Sequence, residues 1–355
     1  MSRFLSDKYA DLKPYTPGEQ PGEGRYIKLN TNENPFPPHP SVTEAAEAES
    51  RKLQLYSDPE CRALRAALAA ETGLREAELM MTNGSDEALY FAFLAFCDRH
   101  TPAVFADVTY GFYPVYAQIT GTPYREIPLG EDFRLDPKDY YQAAATIFIA
   151  NPNAPTGLAL RTEEIAGILE QNPYTVTVVD EAYVDFGAES CLELIREYDN
   201  LLVVQTFSKS RSMAGGRLGF AAGNEELIRD LNAIRYSVNP YNVNRMTAAA
   251  GLAALREDDY YRANARTIQE NRRFTSEGLR ALGFELPESS ANFVFARRPG
   301  LAGETLYREL KRRGVLVRHF RKPRIDDYVR VTIGTREQME IFLRETENII
   351  KEAEA

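Results

Sequence analysis

Residues 175–186 read TVTVVDEAYVDF and residues 201–209 read LLVVQTFSK. Each is a short apolar run, rich in valine and leucine, that closes in a polar cluster. ELMMTNG (78–84), PAVFADVTY (102–110) and TIFIANP (146–152) repeat the form. A short apolar run bounded by turn residues fits a strand buried on both faces. Between the runs lie stretches with helical spacing, SDEALYFAFLAF (85–96) and TEEIAGILEQ (162–171). That alternation predicts an α/β fold, a parallel sheet covered by helices. In open parallel sheets ligands bind at the carboxyl ends of the strands. The polar cluster after each run is therefore where chemistry is expected.

Outward from this centre the pattern changes. The first 40 residues hold PYTPGEQPGEG (14–24) and NTNENPFPPHP (30–40), rich in Pro and Gly, which predict an extended arm over a folded body. Residues 41–72 have helical patterning, broken by YSDPE at Tyr56. From 246 a long helical segment runs to Gly283. Strand candidates ANFVFAR (291–297), GVLVRHF (314–320) and VRVTIGT (329–335) follow, then a last helix, as in a smaller α+β domain. The expected division is an arm at 1–40, a large domain at 41–245 and a small domain at 246–355.

The 355 residues, 44% of them apolar, suffice for a sizeable core and suggest two domains. With 42 Lys and Arg against 52 Asp and Glu, the net charge is −10. That argues against nucleic acid or an anionic membrane as partner, though local arginines can still bind a small anion. No run approaches the ~18 apolar residues of a membrane span, and MSRFLSDKYADLKPY has no apolar core of a secretory signal. Cys61, Cys97 and Cys191 are widely spaced and odd in number, which fits buried reduced thiols in a cytosolic, that is cytoplasmic, enzyme. His39, His100 and His319 have no metal-ligand spacing, so no metal is expected.

The polar clusters carry the chemistry. In TFSKSRSMAGGRLGF (206–220), Lys209 follows LLVVQ and stands at a strand end. Partial desolvation there lowers a lysine's pKa and favours the neutral amine that Schiff-base formation needs. An ordinary solvated loop lysine is the plainer reading. Thr206, Ser208 and Arg217 add hydroxyls and a guanidinium suited to a phosphate ester. Asp180 ends its apolar run, where an acid is costly without a cation; a protonated ring nitrogen, a helix N-cap or a magnesium ion would each serve. Tyr183, three residues on, could reach a phenolic oxygen of such a ring. In NGSDEAL (83–89) a helix starts after a strand, with Ser85 the expected N-cap and free N–H groups for an anion. ANPNAPTG (150–157) predicts a rigid loop from its two X-Pro steps and closing Gly. Tyr110 in VTYGFYP (108–114) offers a flat face for a heterocycle, although core packing suits most of the 20 tyrosines. There is no GxxxxGK[ST], and no GxGxxG follows a strand, so P-loop and dinucleotide readings fail.

Together LNTNENP (29–35), NGSDEAL, TYGFYP, NPNAPTG, VVDEAYVDF, FSKSRSMAGGRLGF, ANFVF and VRVTIGT resemble the class-II, fold-type-I aminotransferases that use pyridoxal 5'-phosphate (PLP). More narrowly they are similar to the histidinol-phosphate aminotransferase family, over nearly the whole chain from LKPYTPG (12–18) onward. The resemblance implies a large domain with a mostly parallel seven-stranded sheet between helices, a smaller α+β domain and an N-terminal arm. It implies PLP on Lys209, Asp180 paired with the pyridine nitrogen, and Tyr110 stacked on the ring. Ser85, Asp86, Thr206, Ser208 and Arg217 would hold the cofactor phosphate. Tyr56 would reach the cofactor of a neighbouring subunit, which implies a homodimer. Arg330 and Arg318 would take substrate carboxylate or phosphate, with Tyr15 and Asn32 beside them. The implied substrates are histidinol phosphate and glutamate or 2-oxoglutarate. The family loop usually reads NPNNPTG, the asparagine just before Pro-Thr-Gly bonding the ring oxygen. Here that position is Ala154, which leaves either Asn153 or Tyr183 for the contact.

Three other readings share these residues: an aromatic or broad amino-acid aminotransferase, a threonine-phosphate decarboxylase, and a non-catalytic PLP-binding protein. The same arginines serve a phosphate or a carboxylate, so the first two stay open at the level of sequence. The intact Lys209, Asp180 and Arg217 weigh against the third.

Overall fold

The computed structural model describes residues 2–20 and 26–354; residues 1, 355 and 21–25, the last a part of the expected arm, lie outside the described residues. The five apolar runs are strands Leu79–Thr82, Ala103–Ala106, Thr146–Ala150, Thr177–Asp180 and Leu201–Thr206. All their residues are buried except Gln205. Two more strands, Tyr124–Ile127 and Gly219–Gly223, complete a seven-stranded sheet. From edge to edge its order is 79–82, 219–223, 201–206, 177–180, 146–150, 103–106, 124–127. Six strands run parallel, and Gly219–Gly223 alone runs against its two neighbours.

The two added strands escape pattern reading for opposite reasons. Tyr124–Ile127 is an edge strand with mostly exposed residues, so it carries no apolar run. Gly219–Gly223 reads GFAAG, poor in β-forming side chains, yet it is wholly buried. Its first glycine is required by close approach. A Cβ on Gly219 would lie 2.7 Å from the Ser85 nitrogen and 2.8 Å from the Gln205 carbonyl oxygen. The strand thus passes directly under the start of helix Ser85–Phe96. That helix lies on the sheet through Ala88, Leu89, Phe91, Ala92 and Phe93, with Phe93 stacked on Phe148 at 4.1 Å. Packing, rather than a polar cap, aims its N-terminus at the strand ends.

A second core gathers around a three-stranded antiparallel sheet of Arg318–His319, Val329–Thr332 and Phe293–Ala296, with Leu29, Phe284, Leu310 and Phe342 packed about it. The expected strand GVLVRHF is split at Val317. Val315–Leu316 pairs in parallel with Ile27–Lys28, and Arg318–His319 turns to pair with Val329–Thr332. The long helical segment is also broken, at Glu257, into Arg245–Arg256 and Asp258–Ala281. The first piece packs with helices Pro40–Ser50 and Arg62–Thr72 in the larger core, through Ala250 and Ala254. The second carries Ile268 and Leu279 into the smaller one. Residues 27–29, early in the chain, belong by their pairing to the smaller body.

Candidate active site

A cavity of about 650 Å³ opens where the strand ends meet the smaller sheet and the arm. That volume suits a cofactor-sized molecule and a small substrate. At its floor Asp180, the last residue of the central strand, is 4% exposed. Its carboxylate accepts from the Tyr113 hydroxyl at 3.1 Å and the Ala182 N–H at 3.2 Å, and has no ion-pair partner among the described residues. Burial pushes its pKa up to about 7. Strand alternation sends the adjacent Glu181 to the other side, where Cys191 N–H, Ser190 and Gln205 satisfy it. Of two consecutive acids, the pleat commits only Asp180 to the cavity.

Lys209 follows the neighbouring strand. Its Nζ donates to the Thr31 carbonyl at 3.4 Å and lies 5.7 Å from the Tyr183 ring centre. Burial, with the charge of Arg330 nearby, draws its pKa down to about 8, against the opposing pull of Asp86 and Glu33. The backbone of Lys209 is held as well: Asn34 Nδ2 donates to its carbonyl at 2.9 Å and to that of Ser210 at 3.2 Å.

Beside Lys209 two hydroxyls and a guanidinium gather at the helix start. Thr206 Oγ1 bonds Ser208 Oγ at 2.9 Å, and Arg217 Nη1 approaches Ser208 Oγ at 3.4 Å. Arg217 Nη2 bonds Asp86 at 3.0 Å, and Tyr110 donates its hydroxyl to Asp86 at 2.6 Å. Arg217 has φ of +54°, a strained backbone of the kind that persists where the surroundings impose it. A Cβ on Gly84 would lie 2.6 Å from Arg217 Nη2, so glycine lets this guanidinium close over the helix start. The expected cap is corrected here. The N-cap is Gly84, at φ of +80°, and Ser85 is the first helical residue, with its side chain making no capping bond. Glycine supplies the backbone angle, and Ser85 lines the cavity instead.

The opposite wall is cationic. Arg318 and Arg330 face each other directly across the two antiparallel strands. Like charges at such a position repel unless an anion lies between them. Neither pairs with a carboxylate among the described residues. Arg330 donates to the Asn30 carbonyl at 3.2 Å, rests 5.2 Å from the Phe293 ring centre, and has a buried Nε with no partner among the described residues. Arg318 donates to the arm carbonyls of Thr16 at 2.9 Å and Pro17 at 3.1 Å. Tyr15 stacks on Phe112 at 4.2 Å, over the mouth of the cavity. Phe320 and Lys322 complete this wall.

The structure thus gathers Tyr15, Asn32, Ser85, Asp86, Tyr110, Asp180, Tyr183, Thr206, Ser208, Lys209, Arg217, Arg318 and Arg330 around one cavity. Two expected residues stand apart. Asn153 is turned away: its Nδ2 donates to the Val108 carbonyl at 2.9 Å and to Thr156 at 3.0 Å, and its Oδ1 accepts from Thr109 at 2.8 Å. Its amide is consumed in holding the loop, whose prolines 152 and 155 both follow cis bonds, and Ala154 faces the cavity instead. Tyr56 is 79% exposed and stacks on Tyr241 at 4.4 Å, away from this chain's cavity. Sequence reading missed Asn34, Tyr113 and Lys322. Asn34 and Tyr113 lie inside quoted motifs, so a signal existed for them; Lys322 in HFRKPR had none.

The chain matches the family model for aminotransferase class I and II over residues 25–345. It is 45% identical to histidinol-phosphate aminotransferase of Brachyspira hyodysenteriae over 353 residues, 99% of this chain and all of that one. It is 47% identical to histidinol-phosphate aminotransferase 1 of Bordetella parapertussis, covering 97% of this chain and 98% of the other. Among solved structures, a putative histidinol-phosphate aminotransferase from Erwinia carotovora atroseptica superposes with a TM-score of 0.85 at 25% identity, over 92% of this chain and 97% of that one. L-threonine-O-3-phosphate decarboxylase from Porphyromonas gingivalis superposes at 0.81 with 22% identity, over 92% and 99%. The fold therefore does not separate these two activities.

Proposed function

The chain belongs to the aminotransferase class I and II family, and from that premise we propose that it is a PLP-dependent transaminase. It transfers the amino group of L-histidinol phosphate to 2-oxoglutarate, giving imidazole acetol phosphate and glutamate in histidine biosynthesis. The observation that carries the substrate is the facing pair Arg318 and Arg330, two forked cations left for an anion beside Lys209.

The cavity fits the cofactor. A buried carboxylate without a cation, Asp180, suits a protonated pyridine nitrogen. The helix start at Ser85 with Thr206, Ser208 and Arg217 suits its phosphate, and Tyr110 offers a ring face. When bound, PLP supplies an electron sink for the charge left after proton removal. Asp180 keeps that sink protonated. Lys209, with its pKa near 8, is poised to take the substrate's α-proton and return it. Arg330 and Arg318 fix the substrate phosphate in one half-reaction and glutamate's carboxylates in the other. Tyr15 and the arm cover the mouth and exclude water.

Tyr56 and Tyr241 stacked on the surface, with Leu53 at 63% and Leu55 at 57% exposed, support a homodimer in which Tyr56 reaches the neighbour's cofactor phosphate. We assign the chain to the cytoplasm; no helix among the described residues is long and apolar enough to cross a membrane. The packing of Arg245–Arg256 supports drawing the boundary between the large and small domains after that helix rather than at 245.

The test is a single turnover. Purified yellow protein is mixed with L-histidinol phosphate, phenylalanine or threonine phosphate, without a keto acid. Bleaching by histidinol phosphate, restored by 2-oxoglutarate, is expected. Bleaching by phenylalanine alone would make it an aromatic aminotransferase. Reaction of threonine phosphate alone, with release of carbon dioxide, would make it a decarboxylase.

A further inference from the structure

We propose that Asn32 is a positioning residue: with Thr332 it forces the Tyr183 hydroxyl to act as a hydrogen-bond donor into the cavity, toward the phenolic oxygen of the cofactor ring. This rests on the PLP reading above. It assigns Asn32 to the tyrosine rather than to the substrate, and it makes this relay the source of the donor that Ala154 cannot supply.

Asn32 is 1% exposed and sits at φ of +56°. Four hydrogen bonds hold it there, which is what a left-handed non-glycine residue needs to persist. Its N–H donates to Thr332 Oγ1 at 2.9 Å, and its carbonyl accepts from Asn292 Nδ2 at 3.0 Å. Its side chain bonds Thr332 Oγ1 at 3.1 Å and the Tyr183 hydroxyl at 2.9 Å.

The direction of each bond follows from the donors available. A backbone N–H only donates, so Thr332 Oγ1 accepts from Asn32 N–H. The Thr332 hydroxyl proton has no other acceptor among the described residues, so its partner is Asn32 Oδ1. That orients the amide, with Nδ2 toward Tyr183. An amide NH₂ only donates, so the Tyr183 oxygen accepts, and its own proton must point elsewhere. The Tyr183 ring packs edge-on to Phe293 at 5.1 Å, an apolar wall, while its other side lines the cavity near Lys209. The cavity is where that proton goes. Burial holds the Tyr183 pKa above its ordinary value, so the proton is present across the working pH range. Ala154 beside it offers only a methyl, and the Asn153 amide is spent on Val108 and Thr156.

A donor to the ring oxygen draws charge from it and weakens its hold on the proton of the imine link to Lys209. Loss of the donor therefore raises the pH at which that link deprotonates. The experiment is a pH titration of the visible absorbance of the holoenzyme. It compares wild type, Tyr183→Phe, Asn32→Ala, Thr332→Val and the double variant Asn32→Ala/Tyr183→Phe, each with its melting temperature. Tyr183→Phe is expected to raise the midpoint by about one pH unit, and Asn32→Ala, which leaves the hydroxyl but not its orientation, by a smaller step in the same direction. The double variant should move no further than Tyr183→Phe. Thr332→Val, which keeps the shape and never touches the cavity, should move it in the same direction and stands in for Asn32→Ala if that variant does not fold. Midpoints of Asn32→Ala and Thr332→Val at the wild-type value, even with lowered melting temperatures, would overturn the relay. So would full additivity in the double variant. Absence of a cofactor band in wild type would instead overturn the PLP reading.

Discussion

The two ends of the cavity are built differently. The floor, with Asp180, Lys209 and Ser208, comes from adjacent strand ends of one rigid sheet. The far wall, with Arg318 and Arg330, comes from two short strands of a second body and is overlaid by the arm. Each end holds charge that the protein itself leaves uncompensated: a buried carboxylate at one, two facing guanidiniums at the other. Such an arrangement is costly alone. It becomes favourable when a ligand brings a cation to the floor and an anion to the wall. The floor groups are fixed by the sheet, whereas at the wall Arg318 is tied to the arm through the Thr16 and Pro17 carbonyls and Arg330 to the Asn30 carbonyl.

The sharpest way to break this contrast is at the floor. Lys209→Ala should lower amino transfer by about 10³-fold or more, measured as glutamate formation, with no rescue by excess substrate. Asp180→Asn should lower it by about 10²–10³-fold, the cost of removing one partner from a buried ion pair. The same change should stabilise the cofactor-free protein. Asp180 keeps its proton to about pH 7 when folded, well above the ordinary carboxylate value. The folded state thus binds more protons between about pH 4 and 7, and stability falls as pH rises through that window and stays lower above it. Thermal melts of cofactor-free protein should show this slope in wild type and not in Asp180→Asn, with a gain on the order of 1–3 kcal/mol above pH 7.

At the wall the effects are expected to be smaller and graded. Arg330→Ala should cost about 30- to 3,000-fold in kcat/KM for histidinol phosphate. Arg318→Ala should cost about tenfold, because its guanidinium is already shared with Thr16 and Pro17. Tyr15→Ala, which removes one stacked aromatic pair over the mouth, should raise KM by about two- to tenfold with kcat little changed. Equal losses from Arg318→Ala and Arg330→Ala would erase the distinction between a guanidinium shared with the arm and one that is not.

The same contrast explains what could be read in the sequence. The floor was legible because strand ends announce themselves: a buried run stops, and the polar residues within a few positions of its end are the candidates for the cavity. Asp180, Lys209 and the helix start at Ser85 follow that rule. The wall depends on register. Nothing in GVLVRHF indicates that the strand breaks at Val317 or that Arg318 then faces Arg330, so those two arginines rested on family resemblance alone. Asn153 depends on the path of the chain in the same way. Residue type marked it as a donor, but the hydrogen bonds to Val108, Thr156 and Thr109 are set by a loop path that composition does not encode. GFAAG was passed over because its glycine answers a close approach to Ser85, not a strand propensity.

The most direct test of a wall built for an anion is the ratio of kcat/KM for L-histidinol phosphate over L-histidinol, which lacks the phosphate, in wild type and in Arg330→Ala. That ratio is expected to be about 10³ or more in wild type and to fall by about 30- to 3,000-fold in the variant, through loss of rate on the phosphorylated substrate only. A ratio unchanged by Arg330→Ala would contradict this, and would mean that the facing arginines do not read the phosphate.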